Sequence, residues 1–314
     1  MADKFLTLLD ITKRNGGDAA SGLIEEVNTV APELNALLGI PQSGITYRVK
    51  KRTALPAGPA FRNANEGSDI ISSTYDQTIG ECFFLDGQMQ IDEAVLTAGL
   101  SEGNSREDIL ADEAIGVMEQ KLIHVGDSFY RGTTADSKGF VGLQALYDST
   151  NCQVDAGGTP GTATSAWLVW NSPRGLHWRF GNQKGLEMGE WFKQKVKDPN
   201  GKSLMAWCNN VSGWLGLFFG HSRSVVRIKN LTTATGKGLT DALVAEALTK
   251  MPIFMRQAPG LKLLINSVAQ LQLQKSRSTV STAKTDSGIL QFAPQPTESN
   301  GVPIVLTDSI LNNE

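Results

Sequence analysis

Residues 105–132 read SREDILADEAIGVMEQKLIHVGDSFYRG. Apolar side chains fall at Ile109, Leu110, Ala114, Val117, Met118, Leu122, Val125 and Phe129, in steps of three and four that keep one face of a helix buried. Ser105 stands where a side chain can cap the first turn, with Asp108 at the capping-box position. Glu107 and Asp108 suit the positive end of the helix dipole. Gly132 ends the pattern, so the clearest helix of the chain is expected from Ser105 to about Arg131.

On the N-terminal side of this helix the chain does not read as a self-contained unit. Ile45-Thr46-Tyr47-Arg48-Val49-Lys50 alternates Tyr47 and Val49 with Arg48 and Lys50, a strand pattern. It runs through Pro56, Gly58 and Pro59 into a polar stretch, Arg62 to Gly67, and strand character returns from Ile70 through Leu85. The reading is a long two-stranded excursion with an irregular tip. Such ribbons are marginally stable alone and expose unpaired edges, so a partner that covers this one is implied. The first 44 residues read as an arm of short helices, with apolar positions at Leu23, Ile24, Val27 and Val30, an interruption at Pro32, a second stripe at Leu34, Leu37 and Leu38, and a stop at Gly39-Ile40-Pro41. An arm with so little apolar surface must lie on its own body or on a neighbouring subunit.

On the C-terminal side the texture is α/β. Ala166 to Trp170 reads as a buried strand, Asn171 to Gly175 as a turn, and Leu176 to Phe180 as its pairing partner. Further strands are expected at Ser224–Ile228, Leu261–Ile265 and Val302–Leu306. Helices are expected at Thr240–Met251, stopped by Pro252, and from Asn266-Ser267 through Leu271.

Composition limits what such a chain can do. Of 314 residues, 40% are hydrophobic and 19% charged, the latter below the roughly 25% of an average soluble domain, while 32 glycines exceed the roughly 7% norm. A disordered chain, a coiled coil and a collagen are excluded. With 29 Lys+Arg against 32 Asp+Glu, a net charge of −3 and pI ≈ 5.7, a protein gripping nucleic acid through a basic face is disfavoured. The longest apolar run, Trp214 to Phe219, is far short of the roughly 20 residues of a membrane span, and Asp10, Lys13 and Arg14 interrupt the apolar start. A soluble, unsecreted protein without membrane contact is expected. Cys82, Cys152 and Cys208 form no CxxC pair and fit reduced thiols.

No catalytic, cofactor or metal constellation emerges. His124, His177 and His221 are scattered. Ser281-Thr282-Ala283-Lys284 matches an S-x-x-K pattern without its downstream partners, Gly236-Lys237 lacks the rest of a phosphate loop, and Gly157-Gly158-Thr159-Pro160-Gly161 lacks dinucleotide spacing. Glu25-Glu26, Glu102 and Asp112-Glu113 read as solvated faces or subunit contacts, because neighbours on a helix point apart. Six tryptophans between Trp167 and Trp214 read as core of one α/β unit rather than a ligand pocket.

A family resemblance runs in order along nearly the whole chain. Leu8 to Gly16, Gly22 to Val27, Lys51-Arg52-Thr53 with Leu55-Pro56, and Phe61-Arg62 through Asn65-Glu66-Gly67 resemble the major capsid proteins of tailed bacteriophages. So do Gly139 to Leu143, Val169-Trp170 with Pro173-Arg174-Gly175, Val225 to Ile228 and Gly301 to Val305. The resemblance implies an α+β, Hong Kong 97-like fold: N-terminal arm 1–44, extended β-ribbon loop 45–90, peripheral domain 91–139 with a spine helix 105–131, axial domain 140–295, and a return strand to the peripheral domain in 296–314. Arm and ribbon would then find their burial on other copies.

The same resemblance implies a non-enzymatic protein that self-assembles through hexamers and pentamers into an icosahedral head shell around double-stranded DNA, which it would hold only weakly. Because the chain opens almost directly with the arm, a separate scaffolding protein is expected, together with a portal and a decoration protein. Isopeptide cross-linking is not implied, since the lysine and asparagine do not align. Its places would be the virion and, during assembly, the host cytoplasm. Arg48, Lys50, Lys51, Arg52 and Arg62 make the ribbon basic, while Glu102, Glu107, Asp108, Asp112 and Glu113 make the helix start acidic. Arg48, Lys50, Arg52, Arg62, Glu66, Glu107, Asp108 and Asp112 are therefore the candidate inter-subunit contacts. Two other readings remain open on the residues: an encapsulin-like nanocompartment shell with protein cargo, and a soluble α/β enzyme with a tryptophan-lined pocket.

Overall fold

The computed structural model describes residues 29–56, 58, 61–67, 70–100, 105–198, 200–280 and 293–314. The predicted long helix spans Arg106–Arg131. Ser105 Oγ accepts the Asp108 N–H at 3.1 Å, and the Gly132 N–H donates to the Ser128 carbonyl at the far end. Gly132 sits at φ +57°, and a Cβ there would lie 1.9 Å from the Gly142 nitrogen, so glycine is required at this stop.

Among the described residues fourteen strands follow the order β1 Gly39–Pro41, β2 Thr46–Ala54, β3 Thr74–Glu81, β4 Phe83–Asp92, β5 Gln153–Asp155, β6 Thr164–Trp170, β7 Leu176–Phe180, β8 Glu187–Met188, β9 Phe192–Lys197, β10 Ser203–Phe219, β11 Val225–Leu231, β12 Leu261–Ile265, β13 Glu298–Ser299 and β14 Val302–Leu306. The first sheet runs β1-β7-β10-β4 and is organised by β10. Over Ala206–Leu215 that strand pairs antiparallel with β4, and β9, β8 and β7 follow one another along its length. The second sheet runs β13-β14-β12-β6-β11-β5. β2 and β3 form a separate two-stranded ribbon.

Both faces of the second sheet are covered, and its strands alternate between two cores as the period of two demands. Ala166, Leu168 and Trp170 of β6 join Val226, Ile228, Leu263 and Ile265 against the helices Asp241–Lys250 and Ser267–Val280. Trp167 and Val169 of the same strand, with Val225 and Leu264, face Leu176, Trp178, Leu215 and Leu217 of the first sheet and Val125, Phe129 and Tyr130 of the long helix. The six tryptophans are therefore not gathered in one unit: Trp170 lies in one core, Trp167 and Trp178 in the other, Trp191 and Trp207 pack beside Ile91 and Ile109, and Trp214 packs at the base of the ribbon.

The structure departs from expectation at four places. Leu176–Phe180 does not pair with Ala166–Trp170; the two strands enter different sheets, with an Asn171–Leu176 bridge across the turn between them. Every residue of β6 is buried, so it carries no alternation from which a partner could be chosen. Residues 29–41, expected to be covered by other copies, are docked on their own chain. Leu37 is buried, Gly39–Pro41 pairs parallel with Trp178–Phe180, and the Trp178 indole N–H donates to the Glu33 carbonyl at 2.9 Å. The last strand pairs parallel with Leu261–Ile265, whose other edge is held by β6, instead of returning to the 91–139 segment. It is the tail beyond it that meets the long helix, through Ile310 beside Val125 and Phe129. The interval 140–295 is thus shared between the two sheets. The helix after Asn266 extends to Val280, well past Leu271. The arm before residue 29, Glu25-Glu26, Glu102 and Ser281–Lys284 lie outside the described residues.

Candidate assembly surfaces

The ribbon is rooted by its alternating residues. Tyr47 and Val49 point inward with Cys82 and Phe218, against Trp214, and the Tyr47 hydroxyl donates to the Leu217 carbonyl at 2.8 Å. Gly80 stands opposite Tyr47, and any Cβ there would meet the ring at 2.3 Å. The Arg179 guanidinium lies 4.9 Å from the Phe218 ring centroid and closes this root.

Past Val49 the ribbon leaves its own body. Arg48, Lys50 and Arg52 occupy one exposed face of β2, opposite Ile79, Gln77 and Tyr75 of β3, while Lys51 takes the other face opposite Asp76. Arg52 is held by its cross-strand neighbour, with Nη2 donating to the Tyr75 hydroxyl at 3.1 Å and the guanidinium 5.4 Å from the ring centroid. At the tip, Asn65 adopts φ +70° and the Glu66 carboxylate accepts from the Asn63 backbone N–H at 2.9 Å and from its side-chain amide at 3.1 Å. Those hydrogen bonds hold the Glu66 carboxyl below its usual range. Arg62 donates to the Glu66 carbonyl, so Glu66 shapes the tip and Arg62 extends the basic side.

The acidic candidates lie elsewhere. Glu107 and Asp108 are exposed in the first turn of the long helix, and Asp112 is half-buried one turn on. A backbone hydrogen bond, then the Arg106 partner at 3.2 Å, keeps the Glu107 carboxyl low. Basic ribbon and acidic helix start are therefore two separate surfaces of one chain. Charge reading misses the apolar part of both. Leu55, Phe61 and Ile70 at the ribbon tip are 73%, 109% and 102% exposed. Beside the acidic turn runs an open groove of about 600 Å³ lined by Leu110, Ala114, Ile115, Met118, Trp191 and Trp207. The available signal in the sequence was Ile115, an apolar residue that lies off the buried helical stripe and is exposed in the fold.

The residues weighed for chemistry are used structurally. His177 is buried, donates to the Ser172 carbonyl at 3.1 Å, and is pushed down to about 4 by burial and by Arg179. His124 pairs with Asp136 at 3.1 Å, and His221 stacks edge-on to Phe254. The three cysteines are buried and unbridged. Gly236-Lys237 and Gly157–Gly161 belong to turns; Gly157 donates its N–H to Asp155. Among the described residues no group of three or more His, Cys, Asp or Glu could hold a metal, and no helix is long and apolar enough to cross a membrane.

Comparison with known proteins places this arrangement. A family model described as "Major capsid protein GP7" matches residues 24–314. The capsid structure of bacteriophage Epsilon15 is similar over 100% of this chain and 98% of its own, at 19% identity and a TM-score of 0.74, which shows the fold. Lesser likenesses are to the capsid of Myoviridae phage XM1, at 11% identity over 68% of this chain and 97% of that one with a TM-score of 0.48, and to Mycobacterium phage Cain, at 10% over 72% and 98% with a TM-score of 0.47. No curated protein matches.

Proposed function

The chain belongs to the major capsid protein GP7 family, and from that premise we propose how its surfaces are used. It is a major capsid protein of Hong Kong 97-like fold, a repeated wall element of an icosahedral head shell, and its role is structural. The shell is built from hexamers and pentamers of this chain and encloses the double-stranded DNA of a tailed phage in the virion. Assembly takes place in the host cytoplasm with a separate scaffolding protein and a portal, and a decoration protein can strengthen the finished wall. The net charge of −3 suits a container that must not hold its DNA tightly.

Within the shell we assign residues 45–90 as the extended loop and Arg106–Arg131 as the spine helix. Arg48, Lys50, Arg52 and Arg62 of one copy lie toward Glu107, Asp108 and Asp112 of the next, setting register and encounter rate more than affinity. Glu66 serves by keeping the tip in shape. The observation that carries this reading is the ribbon itself: a basic face that none of the described residues of its own chain covers, on a chain whose family is that of a major capsid protein. Expressing the full chain alone and with a scaffold, followed by negative-stain electron microscopy, tests it. Closed or aberrant shells are expected; a small soluble oligomer under every condition refutes it, and shells that copurify with a protein cargo would move the assignment to a nanocompartment.

A further inference from the structure

The hairpin of β9 and β10 has no assignment so far, although it projects past its sheet and is basic on one face. β10 is paired with β4 only from Ala206 onward, so among the described residues Ser203, Leu204 and Met205 are held by β9 alone, opposite Lys197, Val196 and Lys195. Strand alternation puts Lys193, Lys195 and Lys197 on one face and Val196 on the other, where it is buried with Ala206 and Cys208. At the root Lys193 is paired with Glu93, the first residue of the helix Glu93–Leu100. Beyond it Lys195 and Lys197 are exposed, about 6.6 Å apart along the strand, and Lys202 is exposed in the turn. None of these three has an acidic partner among the described residues. The acid of this finger is Asp198, and its carboxylate closes the turn: Oδ1 accepts the Asn200 N–H at 3.0 Å and the Lys202 N–H at 2.6 Å.

We propose that this finger is where the wall touches the enclosed DNA, with Lys195, Lys197 and Lys202 holding the phosphate backbone of the duplex. This deepens the shell reading and rests on it. Three observations select a nucleic-acid backbone over a protein surface. The charged groups are all lysine, a residue depleted at protein contacts, and from Gln194 to Met205 no tryptophan, tyrosine or arginine stands ready as an anchor. Compact ammonium groups on flexible stems at every second residue suit a row of phosphates, which presents charge at short, regular intervals. Contact between the same fingers of neighbouring copies is opposed, because it would bring their lysines together. Three phosphates per copy make a weak, local and sequence-independent grip, as a chain of net charge −3 requires, and repetition over the wall multiplies it.

Fluorescence anisotropy of the unassembled full-length chain with a short labelled duplex tests the contact. Three phosphate contacts give a slope of log affinity on log salt of about −2.7, so binding should weaken roughly fortyfold between about 50 and 200 mM salt, alike for duplexes of unrelated sequence. Lys195→Gln, Lys197→Gln and Lys202→Gln together should remove most of that slope, about 0.9 for each lysine, whereas Lys138→Gln, Lys229→Gln and Lys250→Gln together should leave it unchanged. The finger variant should keep the native circular dichroism spectrum and still form shells. In closed shells Lys195→Cys should resist a bulky maleimide that labels it in the unassembled chain, the three native cysteines being buried. A finger variant that binds the duplex like wild type, or labelling of Lys195→Cys from outside closed shells, overturns the proposal. So does a folded finger variant that forms no shells, which makes the hairpin a contact between copies, and so does displacement of the duplex by poly-glutamate as effectively as by unlabelled DNA, which points to an acidic protein. A native chain that never forms shells refutes the shell reading, while the anisotropy still decides the DNA contact.

Discussion

Trp178 joins three parts of the chain, and its replacement should uncouple them in a readable order. The side chain is fully buried on β7, 5.5 Å from both Phe129 of the long helix and Phe140, and its indole N–H donates to the Glu33 carbonyl at 2.9 Å. The backbone N–H of the same residue donates to the Leu38 carbonyl at 2.8 Å and survives any substitution except proline. Trp178→Ala empties a site that cannot collapse easily between two sheets and a helix. Such truncations cost about 3–5 kcal/mol. The Glu33 carbonyl, left buried without a donor, adds about 1–3 kcal/mol. Against a whole-domain stability of about 5–15 kcal/mol, the Ala variant should retain little margin. Trp178→Phe keeps most of the ring contacts and loses the donor, so its main cost is the carbonyl term, felt at residues 33–41. Urea unfolding of the unassembled chain by far-UV circular dichroism gives the first magnitude, and amide hydrogen exchange locates the second. An Ala variant losing less than about 2 kcal/mol, or a Phe variant whose exchange at Leu37 to Ile40 is no faster than wild type, would refute the argument.

Three further outcomes are expected. Glu33 is fully buried and receives the Thr307 and Ser309 hydroxyls, and burial raises its carboxyl above the ordinary 4.5. Above pH 4.5 the folded chain then keeps a proton that the unfolded chain releases, so stability falls as pH rises through the raised value and levels beyond it; Glu33→Gln should flatten that fall, and an equal slope in variant and wild type counts against it. His177 works in the opposite sense: with a folded value of about 4 against 6.5 unfolded, stability is full above pH 6.5 and declines by up to about 3 kcal/mol as pH drops through 4. Urea midpoints at pH 7 and pH 4 measure it, and His177→Asn should remove most of the difference. Arg52→Glu and Arg62→Glu should leave a folded monomer by circular dichroism and block shell formation by electron microscopy; normal shells from both variants would end the electrostatic part of the proposal.

Much of the architecture was legible because it is written in local periodicity. The long helix, its Ser105 cap and Gly132 stop, the helix after Thr240 and the strands at 225–231, 261–265 and 302–306 are each set by residues within a turn or two of one another. Arg48, Lys50 and Arg52 share a ribbon face for the same reason, since strand alternation alone puts them there. The groove was not legible. Its walls come from Leu110 to Met118 on the helix and from Trp191 and Trp207 far along the chain, and sequence spacing carries no information on which turns of a helix a distant hairpin leaves uncovered.

By itself the sequence determined the long helix, the helix after Thr240, the strands at 225–231, 261–265 and 302–306, and the charged face of the ribbon; it did not mark Ser203–Phe219, the strand that organises the first sheet. Only the tertiary structure decided partners. Uniformly buried strands such as Thr164–Trp170 have no polar face to orient them, so long-range packing, not the short turn at Asn171–Gly175, sends Leu176–Phe180 to the other sheet. The same holds for Glu33 to Pro41, whose few apolar groups could rest on any surface and which a single indole N–H and one parallel strand pairing commit to this one.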